Sequence, residues 1–358
     1  MKRRRTLWLI AALALLALAA AVMWTERPTA GARKDVEFPS YQRDVDWQRL
    51  ERHRRELVLM SAAKAREAAS RDPVLVALSG AAARGSSIVF EVDALADTPI
   101  GRMVVDCLEK RPDDPFDEMR RETGFNPAEA LDRVGVAGDL VVMGGDFSGV
   151  VDSPMFAELT RTQRGAATVF TNEDGGGGIA LWRNELLIAA ESSDALDEAL
   201  GLLAGEIPFD EGAMPESDAY GEIYGSLDVD EAAELFGDDE LARRFGEAAD
   251  EVKLHVDASE DVAIVADVTG GEASAMADLG RALGGAMSLA RLKARAEGED
   301  ALAELLDFAN VNNAGGTLKV EVALPLEFLE RHLADCKWMG EGDPGPPPEP
   351  MEPGDGGA

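Results

Sequence analysis

The opening stretch, MKRRRTLWLIAALALLALAAAVMW, restricts this chain more than any other part of it. Lys2, Arg3, Arg4 and Arg5 form a positive cluster, and Leu7 to Trp24 follow with no charge and nothing more polar than Ala. As a helix, that run would span about 27 Å at the usual rise per residue, close to the roughly 30 Å hydrocarbon core of a bilayer. Secretory signal peptides carry a shorter apolar region, and Trp8 and Trp24 sit near the two ends, where interfacial aromatics hold a retained helix. The expectation is a signal-anchor transmembrane helix over residues 1–24 that contacts the lipid bilayer through residues 7–24. The alternative is removal, because Ala30-Gly31-Ala32 and Ala19 to Ala21 both offer small-residue cleavage patterns. The chain's two cysteines are Cys107 and Cys336, so no cysteine follows the apolar run closely enough for a lipoprotein.

The four basic residues before the run outweigh the scattered Arg27, Arg33, Lys34 and Arg43 after it, which interleave with Glu26, Asp35 and Glu37. By the positive-inside rule the N-terminus stays inside and the bulk lies outside, in the periplasm if the source is a Gram-negative bacterium. The expected location is therefore the inner, cytoplasmic membrane, single-pass, or the periplasm after cleavage. Residues 1–71 hold 15 Lys+Arg against 8 Asp+Glu and residues 72–358 hold 20 against 60, which makes the leading segment +7 and the body −40. A body so acidic repels the phosphates on which nucleic-acid binding depends, so no nucleic-acid partner is expected. It also repels anionic head groups and stands off the membrane.

Residues 25–43 read as a linker, and residues 44–72 as a basic stalk helix with Trp47, Leu50, Leu57 and Met60 at helical spacing and Arg49, Arg52, Arg54 and Arg55 on the remainder. A first unit over 85–205 starts with a strand at Ile88 to Asp93. Thr98-Pro99 then caps and starts a helix with Ile100, Met103, Val104, Cys107 and Leu108 on one face. Asn126-Pro127-Ala128-Glu129 has the form of a helix start, and strands follow at Asp139 to Phe147 and Ala167 to Glu173. Arg183-Asn184 separates two apolar runs as a hairpin turn would, and a helix from Ser193 to Leu203 ends at Gly205.

A second unit over 215–336 repeats the succession. Tyr220 to Leu227 is strand-like, Asp228 to Phe236 and Asp239 to Ala249 helical, and Val252 to Val256 and Val262 to Val268 form a hairpin. A helix over Glu272 to Ala296, a shorter one bearing Leu302, Leu305, Leu306 and Ala309, an alternating strand at Leu318 to Leu324 and a helix begun by Pro325 complete it. The expected fold class is α+β: two similar strand/helix units with mostly antiparallel sheets, behind a transmembrane helix and a stalk. Residues 340–358, rich in Pro, Gly and acid, read as a disordered tail.

Gly124-Phe125-Asn126-Pro127, Asp132-Arg133-Val134, Val141 to Phe147 and Leu181 to Ala190 leading into a helix together resemble a pattern in uncharacterised bacterial extracytoplasmic proteins that have one N-terminal membrane segment. The resemblance covers residues 85–205 and implies a tethered α+β domain with no active-site residues to carry over. This chain departs from the pattern at Gly145-Asp146-Phe147, where a simpler glycine-x-aromatic strand end is usual.

No stretch has the spacing that a catalytic or metal centre needs. Asp228, Asp230 and Glu231 are followed by Ala232 and Ala233, where a calcium loop requires another oxygen ligand and a glycine. The glycines at 175–178 precede a strand-like run rather than opening a helix, unlike a phosphate cradle, and Ser148 lacks the flanking glycines of a nucleophile elbow. His53, His255 and His332 lie outside zinc-binding spacings. Catalytic, cofactor-binding and metal residues are accordingly none, and no cofactor is expected. Cys107 falls on an apolar helical face and reads as a buried free thiol, a Cys107–Cys336 disulfide being the alternative. The expected function is that of a non-catalytic, membrane-anchored envelope protein whose acidic domain contacts an envelope protein partner. The alternatives are an extracytoplasmic enzyme, such as a hydrolase with a dispersed site, and a binder of small cationic ligands.

Overall fold

The computed structural model describes residues 36, 38–58, 71–109, 130–153, 156–157, 159–172, 176–209, 214–236, 238–314, 316–333 and 336, with the side chains of 53–58, 109 and 314 left aside. The apolar run at 7–24, the helix start at Asn126 and the tail at 340–358 lie outside them. Among the described residues no helix is long and apolar enough to cross a membrane.

The chain enters through α1 (Asp44–Val58) and α2 (Pro73–Ala82), then β1 (Ser87–Phe90), α3 (Val92–Asp97) and α4 (Pro99–Glu109). Strands β2 (Leu131–Ala137), β3 (Leu140–Gly145), β4 (Thr160–Arg164), β5 (Ala167–Thr171), β6 (Gly178–Trp182) and β7 (Leu186–Ala190) lead to α5 (Ser193–Ala204). Next come β8 (Ile223–Leu227), α6 (Val229–Ala233), α7 (Asp239–Ala248), β9 (Glu251–Asp257) and β10 (Val262–Thr269). The chain finishes with α8 (Ala273–Glu297), α9 (Asp300–Asp307), β11 (Ala309–Ala314), β12 (Thr317–Leu324) and α10 (Leu326–Leu333).

One antiparallel sheet takes in every strand of the described residues, in the order β11-β12-β10-β9-β8-β1-β2-β3-β7-β6-β5-β4. The fold is α+β, but the expected sheets are one sheet. What joins them is β1 against β8, with Ser87 opposite Ser226 and Phe90 opposite Ile223. At this seam the backbones crowd, and a Cβ on Gly225 would lie 2.0 Å from the Ser87 carbonyl oxygen. Gly225→Ala should therefore cost about 2–3 kcal/mol through overpacking, measured as a lowered urea midpoint, whereas the same change at Gly138, where nothing lies within 4 Å, relieves no such contact and reports only its positive φ.

Alternation along the strands separates two cores. Val142, Val169, Ala180 and Ile188 meet Leu75, Leu78, Leu196 and Leu200 of α2 and α5 in one cluster. Their neighbours of opposite parity, Phe170 and Leu181, join Phe147, Val150 and Phe156 in another, as the period of two requires. Helices α6 to α8 cover Val252, Val268 and Leu318. Ile100 of α4 packs with Leu324, Phe328, Leu329 and Leu333 around α10. Beside that contact Cys107 and Cys336 form a disulfide, 229 positions apart, so the free-thiol reading of Cys107 is corrected. Proximity in space of α4 and α10 brings the two sulfurs together, and no local pattern encodes it.

Of the stretch read as a stalk, helix α1 covers Asp44–Val58 and residues 59–70 lie outside the described residues; Asp72 caps α2, its side chain accepting from the amides of Val74 and Leu75. Pro73 at the first helical position suits that start. The strand expected to reach Asp93 stops at Phe90, because Val92–Asp97 is helical. Downstream of the Asn126 signal the chain is already in strand by Leu131. Ala309 belongs to β11 rather than to the helix before it.

A sealed ionic network as candidate functional site

Local sequence places charged residues at the ends of several central elements. Asp72 caps α2, Glu91 follows the last residue of β1, and Glu222 precedes β8. Arg133 occupies an inward position of β2, in line with Gly135 and Ala137, all three buried. Its guanidinium is 1% exposed and sits between two carboxylates, pairing with Asp72 and with Glu91 at 3.0 Å. The same oxygen of Glu91, Oε1, accepts the Tyr224 hydroxyl at 2.9 Å.

The segment ahead of the sheet supplies the rest. Arg49 of α1 pairs with Asp46 and lies 4.0 Å from Glu91. Asp46 also accepts from the Gly221 amide at 3.3 Å. Arg43 donates to Asp46 at 3.0 Å, to Glu222 at 2.8 Å and to Asp257 at 2.8 Å. Glu222 is held on its second oxygen by the Ala258 amide at 2.7 Å. Three arginines thus face five carboxylates, Asp46, Asp72, Glu91, Glu222 and Asp257, drawn from α1, the α2 cap, β1, β2 and the ends of β8 and β9.

Burial governs the protonation of these groups. It pushes the Glu91 carboxyl above the ordinary range, against the pull of Arg133 and Arg49, and pushes the Tyr224 phenol well above its own. Burial also opposes the charge on Arg133, yet Asp72 and Glu91 outweigh it and keep the guanidinium charged. The same competition, with Asp46 and Glu222 as partners, raises Arg43. Nε and Nη1 of Arg49 and Nε of Arg133 are buried with no hydrogen-bond partner, which costs stability. The network is held by opposite charge and not by complete hydrogen bonding.

Its chemistry follows from its closure. Arg133, Glu91, Tyr224, Asp46 and Asp72 are all buried, so a substrate atom does not reach the carboxylates of Asp46, Asp72 and Glu91; Asp257 and Arg43, at the rim, are partly exposed. A general acid or base must come within hydrogen-bond reach of the proton it moves. What the arrangement can do is fasten α1 and α2 to the seam of the sheet. Tyr224→Phe leaves Glu91 short of one buried donor and should lower stability by about 1–2 kcal/mol, measurable in urea.

A second candidate is an open depression of about 710 Å³ beside α5, lined among others by Arg84, Asp139, Arg164, Ser192, Asp197 and Glu198. Its groups already satisfy one another. Arg84 grips Glu198 at 2.9 and 2.6 Å, Arg164 pairs with Asp197, and the Ser192 hydroxyl donates to Asp139 at 2.8 Å while capping α5.

The residues weighed in the sequence are dispersed. His255 lies buried in β9, stacked on Tyr220 at 3.8 Å between ring centroids, and burial lowers its pKa. His332 is buried in α10 beside Phe328, and the side chain of His53 lies outside the described residues. Asp228 caps α6 through the amides of Asp230 and Glu231. Among the described residues, no group of three or more His, Cys, Asp or Glu is placed to hold a metal ion. Sequence reasoning read Arg49 as one of the basic residues beside the apolar stripe of a stalk helix and quoted Arg133 only within the motif Asp132-Arg133-Val134, with no role. The available signal was an arginine at a core-facing position of a strand, next to a glycine and an alanine of the same parity.

No protein-family model matches this chain, and no curated protein matches it significantly. Among solved structures it is similar to crystal form I of TP0453, with a TM-score of 0.38 and 10% identity over 74% of this chain and 97% of that one, a likeness too slight to carry a function from one protein to the other.

Proposed function

We propose that this is a non-catalytic, single-pass protein of the bacterial cell envelope, anchored by residues 7–24, whose acidic body stands outside the cytoplasm and contacts another envelope protein. The observation that carries the reading is the docking of residues 43–49 into the buried network. Arg43, just before α1, pairs with Glu222 and Asp257, and Arg49 within it lies against Glu91, so an anchored chain would present its body in a fixed attitude.

Two further features support the reading. Disulfides persist in oxidising compartments and are rare in the cytosol, which favours an extracytoplasmic body. The succession strand, two helices, two strands, intervening segment, two strands, helix occurs on each side of the β1/β8 seam. In the first half the intervening segment includes β4 and β5, and in the second it is α8 and α9. We read residues 85–205 and 215–336 as two copies of one unit on that ground.

The docking has its own test. Arg43→Ala removes the bonds to Glu222 and Asp257, and chymotryptic cleavage at the exposed Tyr41 and Trp47 should accelerate roughly tenfold or more, the factor that about 1.4 kcal/mol of lost docking gives. An unchanged cleavage rate would contradict the docking. For the partner, cross-linking in intact membranes followed by tagged capture of the full chain should return the same envelope protein in repeated preparations. No reproducible partner would count against the function.

A further inference from the structure

Among the described residues, helix α8 has a second face with no partner. Its sheet-facing side buries Met276, Leu279 and Leu283, and past that point only Ala294 is buried. On the opposite side, at spacings of four, three and four, Gly285, Leu289, Leu292 and Ala296 form an exposed ridge that the helical period places in one line. Leu289 is 69% exposed and Leu292 63%, the most exposed leucines on the described surface. The helix that bears the ridge is not acidic like the body as a whole: α8 holds Arg281, Arg291, Lys293 and Arg295 against Asp278 and Glu297.

We propose that this ridge is the contact between two copies of the chain, paired antiparallel through α8 about a two-fold axis near residues 290 and 291. The pattern is its own complement in that register. Leu289 of one copy meets Leu292 of the other at both ends of the axis, and Gly285 meets Ala296, small against small, which lets the helices approach closely. The condition for an isologous contact is that each patch fits itself. Farther out, Arg281, which pairs with Asp278 of its own turn, comes beside the second copy's last helical turn, where Glu299 and Asp300 are exposed, Glu297 lies 4.0 Å from its own Lys293, and the carbonyl end of the helix adds its own negative field. Arg291 and Arg295 stay in their own chain, each pairing with Asp307, at 2.9 and 2.7 Å, and pinning α9 against α8. The pairing does not depend on the anchor.

The mass of the full chain in neutral detergent, by light scattering with the detergent subtracted, tests it. The expected result is twice the 38.1 kDa chain, falling to a single chain in Leu289→Arg/Leu292→Arg. Gly285→Arg serves as the second variant, because a side chain there meets nothing within 4 Å of its own chain. It should also yield the single-chain mass with an unchanged melting temperature. The register is read by mixing chains carrying Gly285→Cys with chains carrying Ala296→Cys, which should cross-link to each other more readily than either does to itself. A single-chain wild type overturns the proposal, including one whose ridge instead binds phosphatidylglycerol vesicles. So does a paired mass retained in Gly285→Arg, or self-linking of Gly285→Cys equal to the mixed reaction.

Discussion

Arg133→Met should lower the stability of the folded chain by about 3–5 kcal/mol, the range for breaking a buried ion pair from one side. The guanidinium is 1% exposed and bridges Asp72 and Glu91. Without it two carboxylates remain in the interior, and the Arg49 guanidinium at 4.0 Å is the cation left for Glu91. The loss arises from uncompensated charge and not from the pair's own worth, and this makes a second expectation. Adding Glu91→Gln and Asp72→Asn to Arg133→Met should recover much of the loss, because neutral partners carry a smaller desolvation cost and Asn still caps α2. Urea midpoints of the single and triple variants check both statements. A single-variant loss under about 1 kcal/mol, the size of an exposed pair, would mean that the network is open to water.

Removing the disulfide should have an effect of similar size. In the chain-entropy account, a crosslink between residues 229 positions apart restricts the unfolded chain by about 5 kcal/mol. The double change Cys107→Ala/Cys336→Ala should approach that loss, and reductant should destabilise the wild type while leaving the double variant unmoved. The contact between α4 and α10 through Ile100, Phe328 and Leu333 should remain in the folded variant, since it is apolar and does not need the sulfurs. Wild-type stability indifferent to reductant would contradict the bond.

How much of this was legible follows from what each residue meets. Local chemistry was readable. The Thr98 hydroxyl accepts from the Gly101 amide as a cap should, Arg183 and Asn184 take positive φ in the tight turn between β6 and β7, and Gly205 ends α5 at φ 70°. The alternating strand at Leu318 to Leu324 is β12. Elements without a half-buried pattern were not read. In β4 every residue is exposed, so Thr160 to Arg164 has nothing to alternate with. Helix α2 is nearly all buried, which erases the polar face that marks a helix in sequence. The network was the least legible feature, because its charges come from positions 43 to 257 and their pairing exists only once β1 lies against β8. An isolated arginine at an inward strand position reads locally as an error in the pattern, and only its partners turn it into a core residue.

Mass spectrometry of the chain recovered from carbonate-washed membranes, alkylated before any reduction, tests the central claim most directly. The account predicts an intact N-terminal peptide carrying Lys2 to Arg5 and the apolar run, together with a peptide joined through Cys107 and Cys336 and free of alkylation. A chain found dissolved in the cytosolic fraction, with its leading segment attached and both cysteines alkylated, would contradict it.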